Sequence, residues 1–308
     1  MAPPGAWSRA PAPVRRVWEG GRARGEARSG GSAPTRAAPP PSPGIGKSLA
    51  RKLLSQGANV VLVALDDDLL TATSAELAAE FPARDVRAVG VDLGAPGAPY
   101  VATIDAATAG LPVSLVFLNA GYMLTGFFEA TPLAAQLANL ECNAVSAVAI
   151  AHLFLTRMVG AGRTGCLVFT SSAAAAVASP FTCLYAATKA CVSSFGASLA
   201  VEARHRGIDV LVFHPSPVAS RFYDRAHKLG VLDFFRGVAV HPDALPPAVF
   251  GAVGRTAWRD VGPTAVAFRL MMKLVDFNAM ATLSALAAPL LPDFKLAVAD
   301  AAAKAKKR

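Results

Sequence analysis

Five short runs rich in valine, leucine and isoleucine recur along this chain, near 59–64, 86–91, 113–118, 166–170 and 208–213. A strand solvated on one face alternates apolar and polar residues, whereas a run such as Asn59-Val-Val-Leu-Val-Ala64 has no solvent face to offer. Between the runs lie stretches of helical character, near 46–56, 67–80, 98–109, 133–159, 182–206 and 242–255. Each connection is long enough for a helical crossover, which parallel strands require. The alternation predicts an α/β fold, a doubly wound parallel sheet with helices on both faces. No internal repeat is visible.

Ahead of Gly44 the composition changes. Residues 1–43 hold seven arginines, nine prolines, nine alanines and six glycines against two acids. Such a segment buries too little apolar surface to offset the entropy of ordering it, so disorder is expected. Its arginine excess also suits an organelle-targeting segment, although its prolines and glycines work against a presequence helix. A third reading is a misannotated segment standing where a first strand belongs. The rest divides into a domain over 44–260 and an apolar helical extension with a basic tail over 261–308.

The formal net charge of +9 comes from the two ends. Seven arginines face two acids in 1–43, and four bases face one acid in 300–308, leaving about +1 between. With no basic stripe interleaved with aromatics, nucleic acid is not an expected partner. Cys142, Cys166, Cys183 and Cys191 lack metal-ligand spacing and read as buried thiols of an intracellular, reducing compartment.

The chemistry concentrates in 170–195, TSSAAAAVASPFTCLYAATKACVSSF. Tyr185 and Lys189 stand four residues apart, hence on one helix face, and Ser172 lies thirteen residues before the tyrosine. A phenol is a poor acid or base near neutrality, since its ordinary pKa is about 10. A neighbouring cation favours the phenolate and is expected to bring that value down. One hydroxyl donor, one tunable acid and one cation suit proton transfer at an alcohol oxygen.

This constellation resembles the signature of the short-chain dehydrogenase/reductase family, whose Rossmann-like domain moves a hydride between NAD or NADP and an alcohol or ketone. By that resemblance Ser172 polarises the carbonyl, Tyr185 transfers the proton, and Lys189 tunes the tyrosine and holds the cofactor ribose. The segment Leu115–Gly121 is similar to the family's fourth strand end, so Asn119, Ala120 and Gly121 are expected to lie against the cofactor. Asn143 corresponds to an asparagine that holds a water linking the lysine to solvent. Residues 214–220, HPSPVAS, are similar to the family's Pro-Gly-x-Val-x-Thr stretch over the nicotinamide, which implicates Pro215, Val218 and Ser220. Ser216 stands where that stretch has glycine, and brings a Cβ there.

The phosphate end departs from the family pattern. Gly44, Ile45 and Gly46 open an amphipathic helix ending near Gly57, and resemble the last part of the Thr-Gly-x-x-x-Gly-Ile-Gly turn that meets the pyrophosphate. The Thr-Gly of that turn falls at Pro39 and Pro40, and the proline-rich sequence before them cannot pair as a central strand. In the family's strand order that strand is the central one, so the two halves of the sheet are expected to face each other across unpaired backbone. Asp66, late in the second strand, is the candidate for the ribose hydroxyls. Leu65 occupies the place of the usual NADP-binding arginine, which favours NAD. Asp67 and Asp68 also suit a helix start. Asp92 matches an aspartate beside the adenine, or else caps a strand end.

Beyond Ser220, Phe222, Tyr223, Leu232, Phe234 and Phe235 are expected to wall a site for a lipid-like or steroid-like alcohol or carbonyl. Arg269, Lys273 and Asp276 form a polar stripe that rules out a simple transmembrane helix over 264–278, and 279–291 is too short to span. The segment 264–291 is expected to pack on the domain or on a second subunit of a homo-oligomer, with peripheral membrane contact as the other reading. Two functional classes follow: an active oxidoreductase, cytoplasmic or peripheral on a membrane, or a binding protein that keeps the catalytic residues but has an impaired cofactor site.

Overall fold

The computed structural model describes residues 44–223 and 230–305. Residues 1–43, with Pro39 and Pro40, lie outside the described residues, as does the side chain of Leu232. The domain runs α1 (Ile45–Ser55), β1 (Val60–Ala64), α2 (Asp68–Glu80), β2 (Val86–Gly90), α3 (Tyr100–Ala107), β3 (Leu115–Leu118), α4 (Leu133–Leu140), α5 (Ser146–Gly160), β4 (Gly165–Thr170), α6 (Cys183–Arg204) and β5 (Ile208–Pro215). It continues through α7 (Gly230–Gly237), α8 (Leu245–Ala252), β6 (Trp258–Val261), α9 (Pro263–Leu274), α10 (Phe277–Ala287) and α11 (Pro292–Ala305). The α/β alternation forms as expected. β6 was not anticipated, because its WRDV sequence is short and half polar, as an edge strand allows.

All pairings between these strands are parallel, but they form two sheets, β1-β2 and β3-β4-β5-β6. Among the described residues β1 pairs only with β2, and the outer edge of β3 has no partner. Both edges border one cavity, lined by Val60–Ala64 on one side and Ser114–Leu118 on the other. Among the described residues the two sheets thus face each other across this cavity.

Strand alternation distributes the core between two faces. Leu167 and Phe169 of β4 join Ile150, Phe154, Val192 and Leu199 from α5 and α6. Cys166 and Val168 point the other way and meet Leu49, Leu245 and Val249 from α1 and α8. At Gly196 α6 comes so near β5 that a Cβ would sit 2.5 Å from Val212 Cγ2, so only glycine fits. Leu133–Gly160 and Cys183–Arg204 are long and apolar enough to cross a membrane, yet each gives one face to this core. The pair α9 and α10 also passes that test of composition, but it is bent by 108°.

The cysteines correct one expectation. All four are free thiols, but Cys183 and Cys191 are exposed. They sit on the face of α6 turned away from the sheet, which an apolar reading of the residue type did not distinguish.

Candidate active site

β4 ends at Thr170, and the chain continues extended through Ser172, whose Oγ accepts from Ala174 N at 3.2 Å and starts a short 3₁₀ turn. α6 then begins at Cys183, placing Tyr185 in its first turn and Lys189 one turn later. The Ser172 hydroxyl lies near enough to the Tyr185 phenol to act on its ionisation. Lys189 is 4% exposed; its Nζ donates to Thr170 O at 2.9 Å and lies 5.8 Å from the centroid of the tyrosine ring.

Burial sets the electrostatics. It pushes the Tyr185 phenol above its ordinary value, and Ser172 pulls it partly back. Tyr185 keeps part of its surface open to the cavity, which tempers that push. Burial also brings the Lys189 ammonium down to about 8. The expected lowering of the phenol by Lys189 is not seen, because the ammonium is directed to the Thr170 carbonyl and desolvation dominates.

Asn143 sits where the helix widens into a π turn, Glu141–Val145, between α4 and α5. Such a turn re-aims a side chain and is frequent at functional sites. Here its carboxamide accepts from Tyr122 N at 2.9 Å and donates to Tyr122 O at 2.8 Å, fixing the loop after Gly121. A Cβ on Gly121 would lie 3.1 Å from Asn143 Oδ1 and 3.3 Å from Lys189 Nζ, so the three residues meet. Asn119 is held by Thr170 Oγ1 at 3.0 Å, and its Nδ2 would be 3.1 Å from a Cβ on Gly46. The start of α1 therefore reaches the strand-end loop. Gly44 caps α1 without a side chain, and no acid occupies the first turn, so its N–H groups suit an anion.

One continuous cavity of about 2120 Å³ joins these parts. Gly44, Ile45, Gly46, Ala120, Pro215 and Val218 line it, as do Asn119, Gly121, Ser172, Tyr185, Lys189 and Ser220. Asp66 does not: its carboxyl lies where a Cβ on Gly90 would be, turned toward the end of β2. Asp67 does line the cavity, while its carboxylate accepts from Leu70 N at 2.9 Å as the cap of α2. Asp92 also borders it and accepts from Gly94 N at 2.8 Å, the strand-end cap.

Phe222, Tyr223 and Phe235 supply apolar wall as expected, whereas Phe234 is 64% exposed. Sequence reasoning missed Met123 and Phe181, which cluster with Tyr185, and Phe268, Met271 and Met280 from α9 and α10. Phe181 has a φ of 62°, an outlier for a bulky residue that was not legible beforehand. Ser216 keeps an ordinary backbone, and its Oγ accepts from Ala265 N at 3.0 Å, tying the loop to α9. Behind the site, Ser193 Oγ stands 2.9 Å from His214 Nε2 and donates to Lys189 O at 2.7 Å.

Residues 41–228 match the sequence model of the short chain dehydrogenase family. A very-long-chain 3-oxoacyl-CoA reductase-like protein of Arabidopsis thaliana is 30% identical over 58% of this chain and 57% of its own length. The very-long-chain 3-oxoacyl-CoA reductase of Bos taurus is also 30% identical, over the same shares. The chain therefore spans little more than half the length of these relatives. A short-chain dehydrogenase from Sphingobium yanoikuyae, solved in complex with NADPH, superimposes with a TM-score of 0.65 at 25% identity, covering 75% of this chain and 88% of that one. With more than half of its residues matched and the same doubly wound architecture, the chain belongs to the short-chain dehydrogenase family.

Proposed function

We propose that the protein is an oxidoreductase that moves a hydride between a nicotinamide cofactor and an alcohol or ketone by a Ser–Tyr–Lys mechanism. The observation that carries this reading is the convergence of Ser172, Tyr185 and Lys189 on one wall of the large cavity. The nicotinamide ring, when bound, supplies or takes up the hydride. Asn119, Ala120 and Gly121 would face it from the β3 end, Pro215, Val218 and Ser220 from the β5 end. Gly44, Ile45 and Gly46 would meet the phosphates. The close approaches at Gly46 and Gly121 favour such a fit, since each leaves backbone bare where a side chain would intrude.

In the reducing direction Ser172 donates to the carbonyl oxygen and Tyr185 gives that oxygen its proton as the alcohol forms. A phenol raised by burial holds this proton until the oxygen becomes basic. Lys189, still mainly cationic at neutral pH, would hold the cofactor ribose. Asn143 holds the Tyr122 backbone, and a water beside it would relay protons between Lys189 and solvent.

The substrate is an alcohol or ketone with a lipid-like body, because Met123, Phe181, Phe222, Tyr223 and Phe235 surround the tyrosine. The 30% identical reductases named for very-long-chain 3-oxoacyl-CoA support a long chain. Leu65 and Asp67 on the cavity wall favour NAD over NADP, with the NADPH-bound relative as counterweight. The protein works in a reducing compartment, cytoplasmic or peripheral on a membrane. Purified protein with NADH or NADPH is expected to reduce ketones at rates that rise with apolar chain length. Absence of turnover with every ketone would sink this reading.

A second reading, a binding or scaffold protein with an impaired cofactor site, is favoured by the edges of β1 and β3, which are unpaired among the described residues. A folded protein with neither dinucleotide binding nor turnover would establish it.

A further inference from the structure

α9 and α10 are apolar on two sides. Phe268 and Met271 of α9, with Met280 and Ser284 of α10, line the cavity. On the outward side Leu270 and Leu274 are 55% and 87% exposed, and Leu283, Leu286 and Leu290 are 62%, 71% and 72% exposed. Leu283 and Leu286 stand at helical spacing on α10, which contains no charged residue, and Leu290 follows in the 3₁₀ turn after it. An exposed apolar stripe of this extent marks a contact surface.

The rim identifies the contact. Lys273 of α9 and Lys295 of α11 are exposed, and the sequence over 261–308 carries seven bases against three acids. Asp276 accepts from Asn278 N and Ala279 N, and Asp293 accepts from Gly230 N; both stay charged, and the bases of this segment outnumber them. A symmetric pairing of two copies through this face would bring like-charged rims together. An anionic bilayer surface instead attracts them. α10, eleven residues long, reaches about half of the roughly 30 Å hydrocarbon core, so it lies along the interface rather than across it.

We propose that the outer face of α9 and α10 seats on a bilayer with anionic headgroups, and that the apolar substrate enters the cavity from that bilayer past Met280 and Ser284. The seat stands by itself; the entry route rests on the oxidoreductase reading.

The test uses the full chain in flotation with vesicles of phosphatidylcholine alone or mixed with phosphatidylserine. The protein is expected to float with the anionic vesicles, and much less with neutral ones or in high salt. The double substitution Leu283→Glu and Leu286→Glu is expected to lower the floated fraction by at least about tenfold, since each leucine leaves an apolar phase. The same variant is expected to keep its circular dichroism and its rate on a short water-soluble ketone, and to lose rate on a long-chain ketone delivered in vesicles. Should it unfold, the exposed charge reversal Lys273→Glu and Lys295→Glu is expected to abolish the preference for anionic vesicles.

Failure of the native protein to float, or flotation indifferent to both sets of substitutions, overturns the seat. So does a dimer in sedimentation that the leucine substitutions dissociate, because a second copy then covers the face. Equal rates for variant and native protein on the vesicle-borne ketone overturn the entry route. If the native protein reduces neither ketone, the oxidoreductase reading and the entry route fail, and flotation still decides the seat.

Discussion

Lys189 Nζ is anchored to the main-chain oxygen of Thr170 at 2.9 Å, and so its position is set by the end of β4 rather than by the phenol of Tyr185 beside it. The site thus depends on how β4 and α6 meet, and Ser171 reinforces that junction by donating to Lys189 O at 2.9 Å. Four consequences are open to measurement.

Tyr185→Phe removes a hydroxyl and little else. Turnover is expected to fall by about 10²–10⁴-fold or more, the usual scale of general acid catalysis. Unfolding in urea should change by only about 1 kcal/mol, the net worth of one hydrogen bond. Undiminished hydride transfer would remove Tyr185 from the proposed acid role.

Lys189→Met tests the buried ammonium. Because the folded value is down at about 8 against an ordinary 10.5, the folded state binds fewer protons than the unfolded one between those limits. Stability conferred by this group therefore rises with pH across that window. The stability of the native protein relative to the variant is expected to climb there by an amount on the order of 3 kcal/mol. A flat difference would mean that the amine is solvated. In activity, the variant should bind dinucleotide more weakly.

His214 is 2% exposed and stacks on Trp258 with ring centroids 3.9 Å apart. Burial, aided by the charge of Arg269, brings it down to about 3, so it stays neutral where the unfolded chain takes up a proton. Stability must then fall as pH drops below 6.5, the ordinary value. His214→Asn is expected to flatten this acid limb in urea titrations at successive pH values. An unchanged limb would place the acid sensitivity elsewhere.

The gap between β1 and β3 predicts a gain of function. Replacing residues 1–43 by an apolar strand ending in Thr-Gly-Ala-Ser-Ser is expected to pair both edges and complete the phosphate turn. Dinucleotide affinity by calorimetry should improve by at least about tenfold, which is 1.4 kcal/mol. Equal, tight binding by both chains would mean that the present residues already complete the cradle.

Much of the domain was legible because its signals are local. The runs that become β1 to β5 announce themselves by composition, and Tyr185 and Lys189 by a four-residue step that one helix turn converts into adjacency. The sequence by itself thus determined the strand–helix alternation and the pairing of a phenol with a cation. Other features waited on tertiary structure. Asp66 turns toward Gly90, Cys191 faces solvent, Phe181 adopts a left-handed backbone and α9 lends its inner side to the cavity. Ser216 shows why: its hydroxyl meets Ala265 across 49 residues of chain. Periodicity reports on neighbours along the backbone, whereas a contact of that length exists only after the elements have packed, and packing decides which face of each is inside.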